Sequence, residues 1–267
     1  LASTQSAYSK SMEIVHLLST PVGNLMTQLH SILLILHIVL GSAALILFWV
    51  PIYTQKGQLN HKKFGTYYKN VMYGVAASGV VMAIMVLWMP LVIKHQYAQA
   101  ENAEQIASNL RIFWSFLLYL ALLSFTSTRQ GYAVLQAKDD RAQLRTWDYI
   151  VPLALLFIGG VALTASGAMR GHTLHIAFGL LGTFVGLSSL RYVLAKNMPK
   201  KRYILEHIGS MMGSGIGAYT AFLAFGGRQL LDGAGSYQII FWIAPGVIGS
   251  VASYLLCKKY GKVFQIA

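Results

Sequence analysis

Apolar residues in this chain gather into long unbroken runs and do not alternate with polar ones. Seven runs stand out, at about 32 to 53, 71 to 93, 112 to 128, 149 to 169, 173 to 193, 205 to 225 and 237 to 257. None carries Asp, Glu, Lys or Arg in its interior, Arg191 and Glu206 standing at edges. A run of about 20 apolar residues spans the hydrocarbon layer as a helix. The pattern therefore predicts an all-α, polytopic transmembrane helical bundle with about seven spans. The third run is short, and the helix is free to lengthen into Gln130 to Lys138. Two regions are expected: an outer or interfacial N-terminal segment, 1 to 28, and a seven-helix transmembrane domain, 29 to 267. Residues 12 to 27 are mixed apolar and polar, a composition suited to an interfacial helix. Residues 1 to 28 lack a basic stretch followed by an apolar core and a cleavage site, so no signal peptide is expected there.

Charge placement then orients the spans. Sixteen of the 21 Lys and Arg fall on one side: Lys56, Lys62, Lys63 and Lys69 in the first loop, and Arg129, Lys138, Arg141 and Arg145 in the third. Arg191, Lys196, Lys200, Lys201 and Arg202 in the fifth loop and Lys258, Lys259 and Lys262 in the tail complete that side. Basic residues accumulate on the cytoplasmic face, which puts the N-terminus outside and the C-terminus in the cytoplasm. The expected location is a bacterial cytoplasmic (inner) membrane, crossed several times. Trp and Tyr near the span ends, from Trp49 and Tyr53 to Tyr237 and Trp242, suit the interfacial belt. In this setting the net charge of +13 reports orientation and not nucleic-acid binding. The lipid bilayer is the expected partner.

Composition, 55% hydrophobic and 11% charged, agrees with a membrane class and excludes several chemistries. A single cysteine, Cys257, rules out an internal disulfide and a CxxC site. The missing intramembrane carboxylates remove a proton-pump relay. The last span has no lysine before Lys258, so a retinal Schiff base has nowhere to form.

Histidine is the candidate chemistry. His37 and His175 each begin an HxxxG pattern, with Gly41 and Gly179 four residues on and so on the same helical face. Both lie within roughly 10 Å of the outer boundary at 1.5 Å per residue. His30 and His172 stand near them, and the four are candidate metal ligands. Neutral imidazoles hold haem iron, copper or zinc, and an imidazole inside a bilayer requires a partner. A bis-histidine haem needs one imidazole from each of two helices and thin residues where the ring passes. His37/Gly41 with His175/Gly179 meets that description. His61 and His207 form a second candidate pair if the second helix extends down through HKKFGTYYKN. The plain alternatives are a His37 that bonds a carbonyl or hydroxyl, and a His61, Lys62, Lys63 cluster that meets anionic lipid headgroups.

The sixth run, HIGSMMGSGIGAYTAFLAFGG, spaces Gly209, Gly213 and Gly217 four apart. Such a face either packs closely against another helix or lines a slot. Spans one and two also echo spans five and six, with His37 and His61 matching His175 and His207, which hints at a parallel internal repeat.

The stretch HIVLG followed by HKKFGTYY resembles a family of uncharacterised bacterial predicted membrane proteins, whose pattern is HxxxG, a short loop, then H(R/K)xxGxxY entering the next span. His37, Gly41, His61 and Gly65 are the matching positions, with Lys62 where arginine is usual. The resemblance implies a polytopic inner-membrane protein with functional histidines, and supplies no activity. The leading expectation is a haem b or other metal-binding electron-transfer protein, linked to quinone. The alternatives are an accessory or assembly subunit that packs on other membrane-protein subunits through Gly209, Gly213 and Gly217, with no cofactor, and a small-solute transporter. No catalytic residue is identified.

Overall fold

The computed structural model describes residues 20 to 227 and 238 to 266. Lys10, His16, Arg228, Tyr237 and the first part of the expected interfacial segment lie outside the described residues. Seven helices among the described residues are long and apolar enough to cross a membrane, and no strand occurs among them. They are α1 (Pro21–Tyr53), α2 (Leu59–Trp88), α4 (Ala103–Ala137), α5 (Trp147–Arg170), α6 (Thr173–Leu194), α7 (Arg202–Ala221) and α8 (Gln238–Val263), with a four-residue α3 (Pro90–Ile93) after α2. Many large apolar side chains on these helices point outward, including Ile32, Ile35, Ile46, Ile158, Phe184 and Ile248. An apolar exterior on that scale is stable only in a bilayer.

Local chemistry sets the helix ends. The Thr20 hydroxyl accepts from the Gly23 amide at 3.2 Å, and Pro21 fills the first helical position. This is the N-cap arrangement that starts a helix. Residues 21 to 28 therefore belong to the same helix as the first apolar run. Helix α2 ends where Pro90 forces Met89 out of the helical region (φ −126°, ψ 64°). Gly171, at φ +70°, ends α5, and its amide and that of His172 both bond the Gly167 carbonyl. A left-handed residue at this point is best served by glycine.

The described chain falls into two units. The first takes residues up to Val39 together with Gly74–Ala121, and the second takes Leu40–Tyr73 and Leu122–Ala267. In the first unit α1 meets the segment after α2, where Thr27 Oγ1 lies 3.4 Å from the Val92 carbonyl, and Arg111 of α4 bonds the Leu87 carbonyl.

In the second unit α5 and α6 form a tight antiparallel pair. A Cβ on Gly186 would lie 2.8 Å from the Phe157 backbone nitrogen, so only glycine permits this approach. At one end Val134, Leu144, Tyr149, Leu153, Tyr192 and Val193 make a core, where the Tyr149 hydroxyl donates to Gln130 Oε1. Helix α7 is the hub. It receives Phe48 of α1 against Gly215, bonds Tyr68 of α2 through Ser214 (2.8 Å), and takes Gly249 of α8 against Ile216. Trp49 Nε1 donates to the Tyr219 hydroxyl, which donates on to the Leu45 carbonyl. Tyr68 is completely buried, so its hydroxyl needs such a partner.

Candidate functional site

The extension of α2 decides which histidines meet. Leu59 begins the helix, twelve residues before the apolar run, and the helix carries His61 with it. His61 and His207 of α7 come together in the second unit, with ring centroids 6.3 Å apart and planes at 75°. Each ring is held from behind by the backbone. His61 Nδ1 donates to the Pro51 carbonyl at 3.0 Å, and His207 Nδ1 donates to the Gly131 carbonyl at 2.6 Å. A carbonyl only accepts, so both imidazoles carry their proton on Nδ1 and present a bare Nε2 lone pair. No described residue hydrogen-bonds either Nε2.

Both anchors have a sequence cause. Pro51 is in the last turn of α1, where carbonyls lack a partner inside the helix. Gly131 sits where α4 meets α7, and a Cβ there would lie 2.6 Å from Met211 Sδ and 3.2 Å from the Met211 backbone nitrogen. The missing side chain lets α7 approach until His207 reaches the carbonyl. Beside His61, the Cβ position of Gly65 meets no described atom within 4 Å, which leaves open space one turn along the same face.

Lys56 closes this end of α1. Its ammonium donates to the carbonyls of Pro51 and Ile52, both at 2.6 Å, and lies 3.4 Å from that of Thr54. Burial, and then the charge of Lys259, holds this lysine below its ordinary pKa.

The remaining candidates are placed differently. His37, in the first unit, bonds Ser78 Oγ at 2.9 Å, and that hydroxyl is 2.7 Å from the Gly74 carbonyl, so His37 Nδ1 is the donor. Its ring rests against Gly79. His30, also in the first unit, is buried edge-on to Trp114 at 5.7 Å, and its Nε2 has no hydrogen-bond partner among the described residues. His175 and His172 belong to the second unit, their rings 5.0 Å apart at the start of α6. Gly41 has open space at its Cβ position, whereas a Cβ on Gly179 would lie 2.4 Å from Thr164 Oγ1 and 2.7 Å from the Thr164 backbone nitrogen. Gly179 therefore seats α6 on α5, and the space next to it is filled by protein. Within neither unit do three or more His, Cys, Asp or Glu gather, among the described residues, into a group able to hold a metal ion. Pairs of histidine rings, His61 with His207 and His172 with His175, are the arrangement present among the described residues.

The glycine row of α7 is open. At Gly209, Gly213 and Gly217 an added Cβ would meet no described atom within 4 Å. These positions lie about 200°, 240° and 280° around the helix from His207. Taken the shorter way, the row is centred about 120° around the helix from His207.

Sequence reasoning missed Gly131, Pro51, Lys56 and Ser78. A lone glycine just past the third apolar run and a proline in a last helical turn are the available signals, and neither says which neighbour arrives there. Compared with protein-family models, with curated proteins and with solved structures, the chain matches none.

Proposed function

We propose that this membrane protein holds a redox-active metal centre, haem b or another histidine-ligated metal, between His61 and His207 and passes electrons through it, with quinone a fitting partner. One observation carries the reading: two imidazoles on separate helices, each oriented by an Nδ1–H bond to a backbone carbonyl, with Nε2 bonded by no described residue. Histidines that bind metals are oriented in this way by the group behind them. The two ring centroids are 6.3 Å apart, and His61 and His207 are the residues that would hold the metal. The open face at Gly65 supplies room beside the pair. Haem would bring one-electron chemistry, and the protein's part is to orient the two imidazoles through the Pro51 and Gly131 carbonyls. His61 and Gly65 are also half of the positions that carry the resemblance to the HxxxG, H(R/K)xxGxxY membrane family, to which we propose the chain belongs. By the charge rule this pair stands at the cytoplasmic end.

The test is a reduced-minus-oxidised spectrum of detergent-purified protein, with and without added haemin, and elemental analysis for iron, copper and zinc. A bis-imidazole haem spectrum, or bound copper, is expected in the wild type. His61→Ala and His207→Ala lose it, and His37→Ala retains it. A protein without metal or haem, or one whose spectrum survives both substitutions, refutes the reading.

A second reading has its own support. Gly209, Gly213 and Gly217 form a bare backbone strip whose Cβ positions meet no described atom within 4 Å, the kind of face a helix of another subunit fits closely. An accessory subunit would be colourless and would release its partner when Gly213 or Gly217 is replaced by leucine.

A further inference from the structure

We infer that Lys56 sets the reduction potential of the metal held by His61 and His207. The inference rests on the reading of that pair as a ligand site. Lys56 and His61 share one acceptor, the Pro51 carbonyl, at 2.6 Å and 3.0 Å. The sum of those distances bounds the separation of Nζ from His61 Nδ1 at about 5.6 Å. The charge thus stands directly behind a ligand.

Its position is fixed by hydrogen bonding. An ammonium has three donors, and Lys56 directs its three at the carbonyls of Pro51, Ile52 and Thr54. With its donors engaged by the backbone, it has none left over for a phosphate or carboxylate outside. Lys62 and Lys63 are different: both are exposed, and salt screens charges of that kind. Lys56 is half-buried and has Lys259 as a neighbouring charge. A role through its field, and not through ligand contact, is what remains.

The sign follows from Coulomb's law. In a one-electron couple the oxidised metal carries one more positive charge than the reduced metal, and no bond forms or breaks. A fixed ammonium nearby disfavours the oxidised form and raises the potential. The carbonyl end of α1, which carries partial negative charge, would act in the opposite sense if uncovered. Replacing Lys56 with a neutral residue removes the cation and bares that end, and both changes lower the potential.

The experiment is a redox titration of detergent-purified, haemin-loaded protein between dithionite, which donates the electron, and ferricyanide, which accepts it. Wild type, Lys56→Met, Lys56→Gln and Lys56→Arg are compared. The expected result is a midpoint lowered in Lys56→Met and Lys56→Gln, held near wild type in Lys56→Arg, with the spectrum and haem-to-protein ratio unchanged in all. A midpoint in the two neutral variants equal to wild type overturns the inference and leaves the ligand pair standing. Loss of haem from both neutral variants also overturns it, because Lys56 would then be a structural cap. A wild type that binds no haem removes the ligand reading itself, and the inference falls with it.

Discussion

Replacing Gly179 with alanine separates a glycine that seats one helix on another from a glycine that leaves room for a ligand. The new methyl would sit 2.4 Å from Thr164 Oγ1, 2.7 Å from the Thr164 backbone nitrogen and 2.8 Å from the Gly160 carbonyl. Two of those three atoms are backbone, so no side-chain rotation relieves the contact. The α5–α6 pair has to open, and overpacking of this kind costs about 1 to 3 kcal/mol. The higher helix propensity of alanine returns at most about 1 kcal/mol. Gly213→Ala is the matched control, because its Cβ meets no described atom within 4 Å and only the propensity gain applies. Thermal unfolding in detergent, followed by circular dichroism, should show a lower midpoint for Gly179→Ala and an unchanged or higher one for Gly213→Ala. A Gly179→Ala protein as stable as wild type would refute the argument, since it would mean that α5 and α6 are not held at this distance.

Two further outcomes are expected from buried or strained positions. Tyr149→Phe removes the donor to Gln130 Oε1 and leaves a buried amide oxygen unpaired, at a cost of about 1 to 3 kcal/mol. The double variant Tyr149→Phe, Gln130→Leu should recover part of that loss in the same unfolding measurement, because Gln130 Nε2 already lacks a partner among the described residues. Lys201 adopts φ +63° in the turn before α7, with its amide bonded to Asp139 Oδ1 at 2.8 Å. Lys201→Gly should raise the unfolding midpoint slightly and Lys201→Val should lower it, since a branched side chain tolerates that backbone region least.

The spans were readable in the chain because an apolar run of bilayer length has few other uses. Their ends were not, since polar residues continue a helix once it has started. Helix α4 runs from Ala103 to Ala137, well beyond the run at 112 to 128, and α2 begins at Leu59. That second extension matters for the site. The His61 and His207 pair requires a helix through HKKFGTYYKN, and α2 runs through that stretch. Spacing puts Gly179 on the face of His175, but spacing alone does not tell an empty face from one occupied by Thr164. The row at Gly209, Gly213 and Gly217 shows the converse, three regular glycines with no described atom against their Cβ positions. Periodicity identifies a face, and only the partner helix says what that face is for.

The two-residue link at Gly171 and His172 has a bearing on how the chain enters the membrane. Joined by so short a turn and matched along their length by glycines, α5 and α6 can leave the translocation machinery together, backbone already shielding backbone. Neither rod has to wait alone in lipid for a distant segment to be synthesised. The hairpin would give later helices a finished wall on which to assemble.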